Sequence, residues 1–150
     1  MDHVTLAGDL FLEGFNCAQA VAVAFTDVTG MDKQAAAKLA APFGGGMGRM
    51  REVCGAVSGM FMVLGALYGY DNSDADSKKK ELYQQVQALA EQFRQENGSI
   101  ICREILKNPP SDPKPTPRTA EFYAKRPCAR MVVTAGKLLD EFIAAHPLEK

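Results

Sequence analysis

VCGAVSGMFMVLGALYGY, residues 53–70, is a run of 18 residues without a charged side chain, and it decides the fold. Its length is close to the lower limit for a membrane span. Its two GxxxG motifs, Gly55 to Gly59 and Gly65 to Gly69, have the spacing found where membrane helices touch. Charged residues flank the run, however, and the remaining segments have the amphipathic pattern of soluble helices. We therefore predict a glycine-rich central helix, from about Glu52 to Tyr70, buried on all sides within a bundle.

Helical periodicity and capping residues on both sides of this run predict a bundle of about five to seven helices. Besides the central helix, the predicted helices are Val4–Glu13, Cys17–Val28 after the cap Asn16, Lys33–Ala41 after the cap Asp32, Ser77–Asn97, a short helix after Ser99 that ends at Lys107, and Cys128–Ala145 after Pro127. Five prolines between residues 108 and 118 predict an extended connector, followed by a short turn at 119–125. No segment alternates with a period of two, so we predict no sheet and a single all-α domain over residues 1–150.

Length and charge exclude several classes of protein. The chain has 150 residues, which is the size of one domain. Its net charge of −1 argues against nucleic acid as a partner and gives no reason to expect binding to an anionic membrane. The first ten residues include Asp2, His3 and Asp9 and lack the basic start of an export signal. We expect a cytoplasmic protein that is not inserted in a membrane.

The four cysteines are the strongest indication of chemistry. Cys17, Cys54, Cys102 and Cys128 form no CxxC pair, so neither a thioredoxin motif nor a zinc finger is indicated. Each one falls near a predicted helix start, where free backbone N–H groups and the helix dipole favour the thiolate. The alternative is that they act as small buried hydrophobic residues.

A glycine-rich segment precedes the second cysteine. Phe43-Gly-Gly-Gly-Met-Gly48 has four glycines in five residues and indicates unusual backbone angles. It lacks the order of a phosphate-binding loop. Its backbone N–H groups, together with Arg49 and Arg51, are candidates to polarise Cys54 or to hold an anion. The alternative is that the two arginines lie at a solvated edge of the loop and have no such role.

Two further glycines follow Cys54. Gly55 and Gly59 lie one turn apart on one face of the predicted central helix. Small residues at this spacing allow a close contact with a neighbouring helix. They also leave room beside the sulfur for a ligand, a cluster or a partner thiol, and the two uses are compatible.

The two histidines lie near the ends of the chain. His3 and His146 are expected to be exposed. This placement disfavours a Cys–His nucleophilic pair and a histidine-rich zinc site.

The order of the cysteine and glycine motifs carries a family resemblance. Cys17, the segment Gly44-Gly45-Gly46-Met47-Gly48, the motif Cys54-Gly55-Ala56-Val57-Ser58-Gly59, Cys102 and Cys128 resemble the redox-active family named for its C…CGAxxG…C…C pattern. The resemblance covers most of the chain. It implies that the four cysteines are the functional set, and it defines no substrate.

Three functional hypotheses follow. The first is thiol–disulfide exchange or electron transfer by a thiol-dependent oxidoreductase, with the four thiols at a shared site, Cys54 as the primary thiol and a redox protein as partner. The second is an iron–sulfur cluster or a soft metal ion bound by Cys17, Cys54, Cys102 and Cys128. The third is a non-catalytic interaction or transport-accessory module.

The candidate cofactor-binding residues are Gly44, Gly45, Gly46, Gly48, Arg49, Gly55 and Gly59. The GxxxG faces are also compatible with the formation of a homodimer.

Overall fold

The computed structural model describes residues 2–148, with the backbone alone at residues 124 and 125. The helices are α1 His3–Leu12, α2 Cys17–Ala24, α3 Thr26–Thr29, α4 Lys33–Ala40, α5 Gly44–Met47, α6 Gly55–Tyr68, α7 Asp76–Asn97, α8 Cys102–Ile105, α9 Ala120–Lys125 and α10 Cys128–Ala145. Six of the described helices have eight residues or more, within the predicted range of five to seven. Extended pairing in residues 2–148 is limited to one isolated bridge, Val53 to Ile101, so the predicted all-α fold without a sheet is confirmed.

Most predicted helix boundaries lie within a few residues of the observed ones, because the capping groups work as expected. The Asn16 side chain accepts from the Gln19 N–H at 2.9 Å, and the Gln19 side chain accepts from the Asn16 N–H at 3.1 Å. Helix α10 has the predicted bounds at both ends. The segment 108–118 contains no helix, as its prolines predict.

Besides the central helix, three elements differ from the prediction. The predicted second helix is divided at Phe25, whose backbone leaves the helical region. The helix predicted after Ser99 is shorter, because the Ser99 side chain accepts from the Ile101 N–H and the helix begins only at Cys102. A short helix, α9, replaces the turn predicted at 119–125, and the Thr119 side chain caps it by accepting from the Phe122 N–H.

The central helix α6 begins three residues later than predicted, because the residues before it pair with the segment before α8. The Cys54 N–H donates to the Ile100 carbonyl at 2.8 Å, and the Cys102 N–H donates to the Glu52 carbonyl at 2.6 Å. These two bonds bring Cys102 beside the start of α6. The pairing thus joins two cysteine-bearing segments that are 48 residues apart in the sequence.

The first GxxxG motif of α6 is a close helix contact with α2. A Cβ atom added to Gly59 would lie 2.8 Å from the Ala18 carbonyl oxygen and 3.0 Å from the Val21 Cβ. The second motif has no such neighbour, since a Cβ atom on Gly65 would meet nothing within 4 Å. The prediction that α6 is buried on all sides is therefore wrong for the part that begins at Gly65. None of the described helices is both long enough and apolar enough to span a membrane.

His3 is half-buried, which corrects the prediction that it is exposed. Its ring stacks on Phe25, with ring centroids 4.1 Å apart. Its Nδ1 lies 2.6 Å from an Asp140 carboxylate oxygen, and its Nε2 lies 2.8 Å from one of Asp27. Burial lowers the pKa of His3, but the two carboxylates outweigh burial and the net pKa is raised. His3 thus links α1 to α3 and α10, whereas His146 is exposed as predicted.

Candidate functional site

All four cysteines line one cavity of about 480 Å³. Four arginines line the same cavity, namely Arg49, Arg51, Arg118 and Arg126. The described lining residues include no aspartate, glutamate, lysine or histidine. Thiols and guanidinium groups are therefore the ionisable chemistry of this cavity, and its net charge is positive.

Each cysteine reaches the cavity from the start of a helix, as predicted. Cys17, Cys102 and Cys128 are the first residues of α2, α8 and α10, and Cys54 immediately precedes α6. Cys17, Cys54 and Cys102 are buried, and Cys128 is half-buried. The fold thus gathers four helix N-termini around the same space.

Cys17 and Cys128 are interacting thiols, and each shifts the pKa of the other. The interaction with the Cys17 thiol is the largest cause that lowers the pKa of Cys128 to about 7, and three of the cavity's arginines also lower it, although burial opposes the shift. The same interaction raises the pKa of Cys17 well above its ordinary value. The two pKa directions therefore favour the thiolate at Cys128 and the neutral thiol at Cys17.

Cys54, which the sequence favours as the primary thiol, has surroundings that disfavour its thiolate. Burial raises the pKa of Cys54 to about 12, although the Ala56 and Val57 N–H groups at the start of α6 oppose this shift. Burial also raises the pKa of Cys102, and the nearby Arg51 guanidinium opposes it. Helix N-termini and positive charge thus fail to offset desolvation at these two positions.

Arg51 is buried within the cavity wall, so the interpretation as a solvated loop edge is wrong for this residue. The residue is only 4% exposed. Its Nε atom donates to the Pro110 carbonyl at 2.9 Å, and Nη1 donates to the Cys102 sulfur at 3.6 Å. Its Nη2 is buried and has no hydrogen-bond partner among the described residues. Arg51 therefore contacts Cys102, and not Cys54 as the sequence suggests.

The segment from Gly45 to Arg51 shapes this wall with a run of left-handed backbone. The residues with positive φ in it are Gly45, Gly46, Met47, Gly48, Arg49 and Arg51. A Cβ atom on Gly46 would lie 2.6 Å from the Cys102 Cβ and 2.8 Å from the Arg51 Cα. Only glycine at this position permits the close approach of Cys102. Positive φ at residues other than glycine is strained backbone, which collects at functional sites.

The predicted cofactor-binding residues separate into two groups. Those that line the cavity are Gly44, Gly45, Gly46, Gly48, Arg49 and Gly55. Gly59 lies against α2 instead. Among residues 2–148, no three histidine, cysteine, aspartate or glutamate side chains are placed to bind one metal ion together.

Sequence reasoning missed Arg118 and Arg126. Arg118 lies over the Phe11 ring, 4.5 Å from its centroid, and donates to the Phe11 and Phe15 carbonyls. Arg126 lies over the Phe122 ring. Their positions in the sequence could have indicated a role near Cys128. Both arginines flank the short segment that joins the proline-rich connector to this cysteine.

The chain belongs to the family described as "Putative redox-active protein (C_GCAxxG_C_C)", whose model matches residues 15–142. The matched range contains all four cysteines and all four arginines of the cavity, and it confirms the resemblance seen in the sequence. No curated protein and no solved structure matches the chain. The family indicates a redox-active protein and defines no mechanism.

Proposed function

We propose that the protein is a thiol–disulfide oxidoreductase in which Cys128 and Cys17 are the exchanging pair. The observation that carries this proposal is that the two thiols interact within a cavity lined by all four cysteines. A thiolate is the nucleophile in disulfide exchange, and an attacking thiol whose pKa is near the ambient pH is close to optimal. The redox role of the family supports the same chemistry.

The proposed reaction has two exchange steps. The Cys128 thiolate attacks one sulfur of a substrate disulfide, forms a mixed disulfide and releases the other substrate half as a thiolate. Cys17 loses its proton to solvent, attacks the Cys128 sulfur and releases the second half as a thiolate. Two electrons pass to the substrate, and Cys17 and Cys128 are left joined by a disulfide. A partner dithiol must then reduce this disulfide to complete the cycle.

Cys54 and Cys102 have no step in this exchange. Both interact electrostatically with Cys128, and both remain protonated at neutral pH because their pKa values are raised. They therefore add no negative charge that would raise the pKa of the attacking thiol.

Serine variants test the assignment of the pair. Wild-type and variant proteins are reduced, freed of reductant and mixed with 2-hydroxyethyl disulfide, and the small thiol that appears in the ultrafiltrate is followed with time. Cys128→Ser should lower this rate by about 100-fold or more, because a hydroxyl cannot replace a thiolate in exchange. Cys17→Ser should instead accumulate the mixed disulfide on Cys128, visible by mass spectrometry. Cys54→Ser is the matched comparison and should retain most of the rate.

The pH dependence gives a second check on the same pair. Peptide-resolved alkylation by iodoacetamide should label Cys128 first, with a rate that rises through about pH 7. Preferential labelling of Cys54, or a wild-type rate in Cys128→Ser, would overturn the assignment. Strong visible absorbance and four-cysteine ligation in protein purified without oxygen would favour the iron–sulfur hypothesis instead.

A further inference from the structure

We propose that the cavity binds a small organic disulfide that carries a carboxylate, with the carboxylate on Arg51 and the sulfurs beside Cys128. This inference names the substrate class of the proposed exchange reaction and rests on it. The free donor of Arg51, the charge of the lining, the size of the cavity and its apolar wall each support it.

The Arg51 guanidinium group is built to receive an anion. Its Nε and Nη1 atoms are held by Pro110 and Cys102, which fixes the plane of the group. Its Nη2 is buried and meets no acceptor in the described part of the chain, although the residue lines the cavity. A buried donor without an acceptor is costly, and a carboxylate oxygen forms a strong, charge-assisted hydrogen bond with a guanidinium group.

The other charges of the cavity leave this positive site uncompensated. Arg49 has a distant counter-ion, with its Nη2 at 3.9 Å from a carboxylate oxygen of Asp112, which does not line the cavity. Arg118 donates to carbonyl oxygens, which do not neutralise it. Burial lowers the pKa of Arg49, and the neighbouring charge of Arg51 lowers it further. An anion in the cavity would relieve this repulsion between guanidinium groups.

Access to the cavity favours a small molecule over a protein disulfide. The proline-rich connector forms one wall through Pro113, Pro115 and Thr116. Arg49 binds this connector at the Asp112 carbonyl and the Thr116 hydroxyl, both at 2.8 Å. A protein disulfide is attached to two polypeptide backbones, which would have to approach the cavity together with the sulfurs. Such an approach is hindered here, because Cys17 is buried and Cys128 is half-buried. A cavity of about 480 Å³ has the size of a small-molecule site.

The apolar part of the lining favours an organic substrate over an inorganic oxyanion. Ile105, Leu106, Phe122 and Met131 line the cavity together with two prolines. An inorganic oxyanion would leave this apolar surface in contact with water. The carbon and sulfur atoms of an organic disulfide would cover it, which is favourable.

Three disulfides of similar length and different charge test the substrate class. 3,3′-Dithiodipropionate is anionic, 2-hydroxyethyl disulfide is neutral and cystamine is cationic. Rates of reduction by the reduced protein are each divided by the rate with dithiothreitol, a neutral dithiol, which corrects for differences in intrinsic reactivity. The anionic disulfide should be preferred over the neutral one by about ten-fold or more, as expected for one charged hydrogen bond, and cystamine should be slowest.

Arginine variants locate the recognition. Arg51→Gln should lower the ratio of anionic to neutral rates by about ten-fold, because it removes the charged donor. Arg130→Gln is the matched control, since Arg130 is exposed and does not line the cavity, and its ratio should equal that of the wild type. Arg126→Gln is a second cavity variant that keeps the test decisive if Arg51→Gln does not fold. Suberate, a sulfur-free dicarboxylate of matching length, should inhibit reduction of the anionic disulfide by the wild type.

The outcomes separate this inference from the proposed function. Reduction of all three disulfides without an anionic preference would overturn the substrate class and leave the exchange reaction intact. The substrate class is also overturned if suberate does not inhibit, or if the cavity variants keep the wild-type ratio. Failure of the reduced wild type to react with any of the three would overturn the proposed function, and this inference with it.

Discussion

Helix α10 has a different cluster of polar side chains near each end. At its start, Cys128 lies beside Cys17 in a cavity whose described lining holds four arginines and no carboxylate. Twelve residues later, or about 18 Å along the helix, Asp140 contacts His3. His3 lies between two carboxylates, those of Asp140 and Asp27. The two clusters use the same helix and differ in whether every charged group has a partner of opposite charge.

The His3 cluster is a structural link, and the cluster around Cys128 has the features of a site prepared for a ligand. Both ring nitrogens of His3 have a carboxylate partner, so nothing in that cluster requires a further group. Arg51 has a buried donor without a partner among residues 2–148, and it is held by strained backbone. Stability alone favours neither of these features. Their occurrence in the cavity of Cys128 supports the start of α10 as the functional end.

The largest expected effect on stability is at the cavity end, from Gly46→Ala. The new Cβ would lie 2.6 Å from the Cys102 Cβ and 2.8 Å from the Arg51 Cα, so the backbone must move. We expect a loss of about 3 kcal/mol in the free energy of unfolding, from the clash and from the left-handed φ together. Urea denaturation at neutral pH measures it.

Gly30→Ala is the matched control for this substitution. Gly30 has a φ of +75°, against +74° at Gly46, and an added Cβ would meet nothing within 4 Å. It should cost only about 1 kcal/mol, which is the penalty of the left-handed backbone alone. Equal losses in the two variants would show that Gly46 is required for its conformation and not for the approach of Cys102.

At the opposite end of α10, His3→Gln should have a smaller effect that depends on pH. Because the pKa of His3 is raised in the folded protein, its charged contacts stabilise the fold fully below the unfolded value of about 6.5. This contribution is lost as the pH rises through the folded pKa. The variant should lose about 1 kcal/mol at about pH 5.5, as expected for partly exposed ion pairs, and less at about pH 9.

Urea denaturation of His3→Gln at these two pH values checks the sign. His146→Gln is the control, because His146 is exposed and has no carboxylate partner among the described contacts. The alkylation rate of Cys128 should be unchanged in His3→Gln, since the two clusters are separate. A slower Cys128 in this variant would mean that the ends of α10 are coupled.

Much of the fold could be predicted because it is encoded locally. Asn16, Asp32 and Gly30 act within a few residues of themselves, and their roles as caps are those expected from the sequence. The two GxxxG motifs show the limit of such reasoning. Gly59 packs against α2, while an added Cβ on Gly65 would meet nothing, although both motifs have the same spacing. Which of the two motifs packs against another helix depends on how far α2 extends. The GxxxG spacing in the sequence does not give that length.

The sequence could predict which cysteines belong to the candidate site, but it could not predict their pKa values. Helix starts placed the cysteines near N–H groups, and the helix dipole suggested acidic thiols at all of them. Desolvation reverses that expectation at Cys54, and the interaction with Cys17 restores it at Cys128. Burial and the pairing of thiols that are 111 positions apart arise only when the chain has folded.

Arg51→Met should have the smallest effect on stability and gives the sharpest contrast with His3→Gln. The substitution removes two hydrogen bonds, to Pro110 and Cys102, but it also removes a buried, unpaired donor and the repulsion from Arg49. These effects oppose each other, so the free energy of unfolding should change by less than about 1 kcal/mol. Urea denaturation with and without about 0.5 M sodium chloride should show a smaller salt dependence than in the wild type, because a like-charge repulsion has been removed. A loss as large as that of Gly46→Ala would mean that Arg51 is a structural residue, and the distinction between the two ends of α10 would no longer hold.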